Sequence, residues 1–354
     1  MDQTVGGLPS AAGRGMTTPP AWGETLAADL AALPRDGANP PREQALALFR
    51  RHLGRVQADT KARFEGGLPG LEAARLLAQR MDETVRILHA WTTRTVFPPG
   101  VESAGEALAL AATGGFGRGV LAPFSDLDLL FLTPWKEPPR TEQVVEFMLY
   151  FLWDLGLKVG HATRSIDECI TQSRGDHTIR TSLLDAHFLA GDREVFDGFT
   201  GRFRADLAQH GAAAFFSAKR AERAGRHRKY GESAFLLEPN VKDGKGGLRD
   251  LQALYWMIRF VREITRFEDA ADPALPGGAV LDETELRAWR RAAEFLWSVR
   301  FHLHYASGRA EERLTFDLQP VIGAAMGYTR HGAVQGVERF MKHYFLTARE
   351  VRRL

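Results

Sequence analysis

A glycine-rich turn between two short apolar runs constrains this chain more than any other segment. Residues 107–112 form the first apolar run, and residues 126–132 form a second one that contains Asp126 and Asp128. Short apolar runs bounded by glycine are typical of buried strands. The pattern therefore predicts a strand, a turn over residues 113–119 and a second strand that carries both carboxylates.

The two carboxylates of the second run are two residues apart. Side chains at this spacing on a strand project from the same face, about 7 Å apart along the chain. Two carboxylates so close repel each other unless a cation lies between them. Mg²⁺ prefers oxygen ligands and keeps bound water and substrate phosphates, so Asp126 and Asp128 predict a site for Mg²⁺, or Mn²⁺ in its place, that serves phosphate chemistry.

The residues of the turn suit a phosphate group. A backbone without Cβ can turn sharply and bring its N–H groups close to a triphosphate. An arginine adds a charged, forked donor to the turn, and a serine adds a hydroxyl just before the first carboxylate. The plainer alternative is a hairpin followed by two solvated aspartates. The predicted nucleotide-binding residues of this segment are Gly114, Gly115, Gly117, Arg118, Gly119 and Ser125.

The string GGFGRGVLAPFSDLDLLFL, at residues 114–132, resembles the signature of the polymerase-beta-like nucleotidyltransferases. That signature is Gly-Gly or Gly-Ser followed by Asp-x-Asp on the next strand. The Gly-Arg-Gly and Pro-x-Ser-Asp details narrow the resemblance to the protein-PII uridylyltransferases. A second segment, LEPNVKDGKGGLRDLQ at residues 237–252, is similar to that family's Glu-Pro-Asn and Gly-Gly-Leu-Arg-Asp segment. The resemblance runs from about residue 25 to the end of the chain.

The resemblance implies an enzyme that transfers UMP from UTP to a tyrosine hydroxyl of the nitrogen-signalling protein PII and releases pyrophosphate. Members of the family typically continue into an HD phosphohydrolase domain and paired ACT domains, which we expect to be absent from this chain. The resemblance also implies a third catalytic carboxylate, but the strand predicted at residues 157–164 holds no acid. Asp185 is the preferred candidate and Asp154 the reserve, while a surface aspartate on a helix is the alternative for Asp185. A contact of His161 with substrate is less expected than an ordinary core or surface histidine.

The second segment supplies three further candidates for nucleotide binding. The two lysines are placed to reach a triphosphate, and a helix that begins after Gly246 and Gly247 would leave free N–H groups near an anion. The structural alternative is that the glycines only start the helix and that Arg249 pairs with Asp250. A basic stretch at residues 220–229 is interpreted as a solvated helix face. The three candidates are Lys242, Lys245 and Arg249.

The remaining periodicity predicts an α/β (α+β) protein that is mostly helical. It contains a polymerase-beta-like domain with a small mixed sheet, preceded by N-terminal helices and followed by a C-terminal helical domain. Helices are predicted at residues 41–64, 71–95, 141–155, 283–307 and 334–353. The predicted domains are a disordered tail, an N-terminal helical segment, the nucleotidyltransferase catalytic domain and a helical substrate-binding or connecting domain, at residues 1–23, 24–98, 99–190 and 191–354.

Composition excludes several other classes of protein. The formal net charge of +2 over 354 residues does not favour nucleic acid or a membrane as the main partner. The single cysteine excludes an internal disulfide framework. No run approaches the roughly 18 apolar residues of a membrane helix. A cytoplasmic location is therefore expected.

Three other functions stay open. An adenylyltransferase that acts on glutamine synthetase shares the glycine turn and Asp-x-Asp, although the segment at residues 237–252 argues against it. A nucleic-acid nucleotidyltransferase is disfavoured by the near-neutral charge. A catalytically degenerate domain that binds PII is disfavoured by the intact Asp126 and Asp128, but the unplaced third acid keeps it open.

Overall fold

The computed structural model describes most of the chain. The first 21 residues of the expected disordered tail lie outside the described part, and residues 22 and 23 belong to the first helix. No helix in the described part is long and apolar enough to cross a membrane. The described residues are 22–34, 41–98, 107–135, 139–230, 236–262, 264, 266–331 and 334–354.

A four-stranded mixed sheet carries the glycine-rich turn. The strands lie in the order β3-β2-β1-β4. β1 runs antiparallel to both β2 and β4, whereas β2 and β3 are parallel. The sequence predicted β1 to β3 to within a few residues, but it did not predict β4. The strands are β1 (Ala109–Ala112), β2 (Leu127–Thr133), β3 (Val159–Ser165) and β4 (His187–Gly191).

Helices surround this sheet, and the fold class predicted from the sequence is confirmed. Each of the five helices predicted by residue range is present with ends that differ by only a few residues, although the second one finishes in a π-helical turn at Thr92–Val96. A 3-10 turn covers Phe267–Ala271. The helices of the described part are α1 (Trp22–Ala31), α2 (Arg42–Glu65), α3 (Gly70–Trp91), α4 (Gly114–Gly117), α5 (Pro139–Asp154), α6 (Ile166–Gly175), α7 (His177–Leu184), α8 (Arg193–His210), α9 (Ala212–Tyr230), α10 (Leu248–Val261), α11 (Glu283–Ser307), α12 (Leu318–Ala325) and α13 (Gly336–Val351).

The two faces of the sheet belong to two different hydrophobic cores. Leu129 and Phe131 of β2 pack into a core that contains residues of α1, α2, α3 and α5. Leu130 and Leu132 pack into the core that includes α10, α11 and α13. Because successive residues of a strand alternate in direction, Asp128 lies on the same face as Leu130. The predicted catalytic face of β2 is therefore turned toward the helices of the C-terminal half.

Candidate active site

A cavity of about 450 Å³ lies between the glycine turn, the start of β2 and helices α7, α9, α10 and α11. Its volume is within the range of small-molecule sites. Of the twelve site residues predicted from the sequence, Gly117, Gly119 and Lys245 are not part of the cavity lining. The nine that line the cavity are Gly114, Gly115, Arg118, Ser125, Asp126, Asp128, Asp185, Lys242 and Arg249.

The glycine turn is a single turn of helix, α4, which the sequence did not predict. The N–H of Gly117 donates to the carbonyl of Thr113 at 2.7 Å, and the N–H of Arg118 donates to the carbonyl of Gly114 at 3.1 Å. Phe116 in the middle of the turn is fully buried in the core on the far side of the sheet. The turn is therefore held by its own hydrogen bonds and by an apolar anchor.

The carboxylate of Asp128 lies between two glycines. A Cβ on Gly114 would come to 2.5 Å from Oδ2, and a Cβ on Gly160 would come to 2.6 Å from Oδ1. Gly160 is the residue of β3 that pairs with Asp128. Sequence reasoning missed Gly160, although a glycine inside a strand often marks the close approach of another group. The two glycines together fix where the Asp128 carboxylate can lie.

The two predicted metal-binding carboxylates affect each other electrostatically. Asp126, exposed just before β2, and the half-buried Asp128 line the same cavity. Burial raises the pKa of Asp128, and the negative charge of Asp126 raises it further, against the opposing charges of Arg118, Lys242 and Arg249. This concentration of negative charge makes the position favourable for a cation.

Asp185 is fully buried and holds Arg118 in place. Its carboxylate forms an ion pair with the Arg118 guanidinium. The indole Nε1–H of Trp256 donates to both carboxylate oxygens, at 3.1 and 3.0 Å. The alternative of a surface aspartate is therefore wrong, because Asp185 ends α7 inside the protein. Both of its oxygens are already engaged, and its role as the third catalytic carboxylate stays a prediction.

The reserve candidate for the third carboxylate is outside the cavity. Asp154 is exposed at the end of α5, where it pairs with Arg42. His161 is exposed on β3, with its ring 6.1 Å from that of Trp153. Across the described ranges, no group of three His, Cys, Asp or Glu side chains is arranged to hold a metal ion. Because Asp154 does not line the cavity, the prediction that it could be the third carboxylate is wrong.

The segment before α10 folds back on itself beside the cavity. Asn240 begins a turn in which its side-chain oxygen accepts the N–H groups of Lys242 and Asp243, at 3.1 and 2.6 Å. The helix begins after Gly247, as predicted. The proposed pairing of Arg249 with Asp250 is wrong, because neighbouring residues of a helix point in different directions. Arg249 instead lies 3.5 Å from Asp243.

Asp250 pairs with α9, so the interpretation of residues 220–229 as a solvated face is wrong in part. Arg226 donates to Asp250 at 2.6 Å and lines the cavity. Arg223 lies 3.3 Å from the same carboxylate. Lys219, Arg223 and Arg226 lie on one side of α9 because their spacing is i, i+4 and i+7. This spacing in the sequence could have indicated that one side of residues 220–229 faces inward.

Two family models match this chain. The model described as a nucleotidyltransferase domain matches residues 101–186, and the model described as GlnD PII-uridylyltransferase matches residues 214–354. Over 310 residues, the chain is 50% identical to the bifunctional uridylyltransferase/uridylyl-removing enzyme of Azospirillum brasilense. This chain is homologous to the transferase part of the PII-uridylyltransferases. The resemblance drawn from residues 114–132 and 237–252 is confirmed.

The chain spans about a third of the length of the curated relatives it matches. The Azospirillum alignment covers 88% of this chain and 33% of that protein. The enzyme of the same name from Gluconobacter oxydans is 50% identical over 324 residues, which are 88% of this chain and 34% of that protein. The one from Bradyrhizobium diazoefficiens is 47% identical over 328 residues, which are 92% of this chain and 35% of that protein.

In this chain, Trp256 organises the cations at the end of the cavity. The guanidinium of Arg118 lies 5.2 Å from the centre of its indole ring, the ammonium of Lys219 lies 4.9 Å away and the guanidinium of Arg249 lies 5.5 Å away. Cations at such distances are attracted by the electron-rich face of an indole. Trp256, which sequence reasoning missed, therefore holds three positive charges together while its N–H fixes Asp185.

Lys242 differs from the other cations of the cavity. Among the described residues, it forms no ion pair, whereas each of the other five basic residues of the lining has a carboxylate partner. Burial lowers the pKa of the Lys242 ammonium, the charge of Arg300 lowers it further, and Glu312 acts in the opposite direction. A half-buried ammonium without a counter-ion gains when an anion enters the cavity.

Proposed function

We propose that this chain transfers UMP from UTP to a tyrosine hydroxyl of PII and releases pyrophosphate. The observation that carries the proposal is one cavity lined both by the carboxylates of Asp126 and Asp128 and by the unpaired ammonium of Lys242. Carboxylates and cations in one cavity suit a nucleoside triphosphate with its metal ion. The names of the relatives supply the uridylyl group, and the matching family model names PII.

The two carboxylates fit Mg²⁺. Asp128 is kept in position by Gly114 and Gly160, and Asp126 lies beside it in the lining. Mg²⁺ is usually bound by one or two protein carboxylates and completes its shell with water and substrate phosphates. When bound by Asp126 and Asp128, it would neutralise charge on the phosphates and orient the reacting oxygens.

The basic residues of the cavity are proposed to bind and orient the triphosphate. The N–H groups of Gly114 and Gly115 begin a helical turn and have no partner within it, so they are available to phosphate oxygens. Arg118, fixed by Asp185, and Lys242 would neutralise phosphate charge. Phosphoryl transfer needs positioning and charge neutralisation more than covalent catalysis by the protein.

We also infer a division of labour along the chain. Residues 99–190 supply the carboxylates and the glycine turn, and residues 191–354 complete the nucleotide site through Lys242, Arg249 and Trp256. Residues 24–98 support the sheet from its other face. A cytoplasmic location fits these substrates, and PII and UTP are the proposed partners.

The test is transfer of label from α-labelled UTP to PII in the presence of Mg²⁺. We expect Asp126→Asn and Asp128→Asn each to reduce the rate at least about a hundredfold, the scale of removing a main electrostatic stabiliser. Asp154→Asn is the matched control, because it removes an exposed carboxylate outside the cavity, and it should keep the native rate.

Three results would contradict the proposal. Equal labelling by the native chain and by both cavity variants would refute the assignment of the carboxylates. Equal transfer from α-labelled ATP would refute the choice of uridylyl and support the adenylyltransferase alternative. Tight binding of PII without any transfer would support the degenerate domain.

A further inference from the structure

A second, smaller cavity adjoins the proposed triphosphate site. Its volume is about 110 Å³. Four residues line both cavities, namely Arg118, Val120, Gln252 and Trp297. A ligand that occupies the first cavity can therefore extend one end of itself into the second.

Four aromatic rings line the second cavity, together with aliphatic side chains and three arginines. Phe267 and Trp289 stack with their ring centres 4.0 Å apart and their planes 13° apart, and Tyr255 and Trp297 add two more rings. Planar aromatic walls favour a flat ring as the ligand. A single buried water needs about 10–15 Å³, so this cavity holds one small ring and not a whole nucleotide.

Three buried polar atoms of the lining have no hydrogen-bond partner among the described residues, and one of them is Nε of the Arg118 guanidinium that Asp185 already holds. The other two lie on Trp289 and Glu268. They are the indole Nε1–H of Trp289, a residue that is only 9% exposed, and Oε2 of Glu268. The guanidinium of Arg266 forms an ion pair with Oε2 at 3.7 Å, which is too long for a hydrogen bond. A buried donor and a buried acceptor that lack a hydrogen bond are each costly unless a ligand supplies one.

The two carboxylate oxygens of Glu268 have different surroundings. Oε1 accepts a hydrogen bond from Arg75 at 2.7 Å. Burial alone would raise the pKa of Glu268, but the hydrogen bond from Arg75, a hydrogen bond from its own backbone N–H and the charges of Arg75 and Arg266 outweigh it and lower that pKa. Glu268 is therefore a carboxylate at neutral pH, and its Oε2 can only accept a hydrogen bond.

A third polar group lies where the two cavities meet. The side-chain oxygen of Gln252 accepts a hydrogen bond from Arg249 at 2.9 Å. This contact orients the amide, because its oxygen faces the guanidinium and its NH₂ is left as a donor. Beside its three arginines, which are all paired with carboxylates, the lining thus offers two donors, from Trp289 and Gln252, and one acceptor, from Glu268.

We propose that the second cavity receives the uracil ring of UTP, with Glu268 accepting the ring N3–H and Trp289 donating to a ring carbonyl. Gln252 donates to the other carbonyl at the mouth. Cytosine is rejected because its N3 carries no hydrogen, and a purine is rejected by its size. The assignment rests on the proposed function, since it names what selects the base of the same nucleotide.

The decisive variant is Glu268→Gln. Because Arg75 keeps the side-chain oxygen in the position of Oε1, the new NH₂ occupies the position of Oε2 and offers a donor in place of an acceptor. This donor opposes N3–H of uracil and suits N3 of cytosine. Glu72→Gln is the matched control, because Glu72 is the other carboxylate partner of Arg75 but does not line either cavity.

The measurement is calorimetric binding of UTP, CTP and inorganic tripolyphosphate to the full chain with Mg²⁺. We expect Glu268→Gln to weaken UTP binding by about 10- to 100-fold, the range for a hydrogen bond to a charged group. CTP should bind relatively better than before, and tripolyphosphate should bind as it does to the native chain. Trp289→Phe keeps the ring stack without the N–H and should cost UTP about two- to tenfold.

The outcomes separate the two proposals. If the native chain prefers UTP over CTP and Glu268→Gln keeps that preference, the uracil site is wrong and the proposed function stands. An equal loss of UTP and tripolyphosphate binding would also overturn it, because Glu268 would then act through the fold. If the native chain binds UTP no better than tripolyphosphate, the proposed function loses its support, and the uracil site is then refuted as well.

Discussion

Gly160→Ala should abolish the proposed transfer of UMP without unfolding the protein. The new Cβ would lie 2.6 Å from Oδ1 of Asp128, whereas ordinary van der Waals contact begins at 3.4 Å. The carboxylate must therefore move by about 0.8 Å, the difference between these two distances. A displacement of about 1 Å at a reacting group can cost on the order of a hundredfold in rate.

Stability should change much less than the rate. Alanine in place of glycine restricts the unfolded chain and stabilises by about 0.4–1 kcal/mol where the backbone tolerates it. The close contact with Asp128 costs about 1–3 kcal/mol if the strand has to adjust. The two effects oppose each other, so the midpoint of thermal unfolding should fall by only a few degrees.

The assay is initial-rate transfer of labelled UMP to PII, beside thermal unfolding followed by circular dichroism. Gly201→Ala on α8 is the control, because a Cβ there meets no atom within 4 Å. We expect the control to keep the native rate. A Gly160→Ala enzyme that keeps more than half of the native rate would refute the reasoning that the glycines fix the Asp128 carboxylate.

Three further predictions test the charges around the cavity. Lys242→Met should weaken UTP binding by about 10- to 100-fold, since a charged hydrogen bond is lost, whereas Lys245→Met should change it little; calorimetry checks both. Asp185→Asn leaves a buried guanidinium without its counter-ion and should cost about 3–5 kcal/mol in denaturant unfolding, and no change in the denaturation midpoint would contradict it. Burial alone would raise the pKa of Glu312, but the nearby His304 and Arg300 hold it at about 2, against an ordinary value of 4.5. The lowered pKa contributes about 3 kcal/mol to the free energy of unfolding, and this contribution is complete above pH 4.5 and is lost as the pH falls toward 2. Acid unfolding of Glu312→Gln should therefore lack that part of the pH dependence.

Local sequence patterns predicted the parts of the fold that depend on neighbours in the chain. The apolar runs around the glycine turn became β1 and β2, and the helix at Glu283–Ser307 has the predicted ends, set by a capping box at Asp282 and a left-handed Gly308. The strand β4 was missed because it is five residues long, begins with an exposed histidine and is only partly buried. Its apolar pattern is therefore too weak to distinguish a strand from a continuation of the end of α7.

The site was only half predictable for a different reason. Asp126, Asp128 and the glycine turn are contiguous, so a motif contains them. The bond between Trp256 and Asp185 joins residues 71 positions apart, and no local pattern relates them. The pairing predicted for Arg249 and Asp250 was wrong for the same reason, because the Asp250 carboxylate pairs with arginines of α9 and not with Arg249.

The pairing of charges explains how one cavity can be both rigid and receptive. Arg118 is tied to Asp185, and Arg300 is tied to Glu312, so their positions do not depend on the nucleotide. A guanidinium that is already paired loses little side-chain entropy when a phosphate arrives, but it also offers less net attraction. Lys242 has the opposite properties, because it forms no ion pair with any described residue. We therefore expect the arginines to determine orientation and Lys242 to contribute most to affinity, so that loss of Lys242 raises KM more than it lowers kcat, whereas loss of Asp185 lowers kcat through a displaced Arg118.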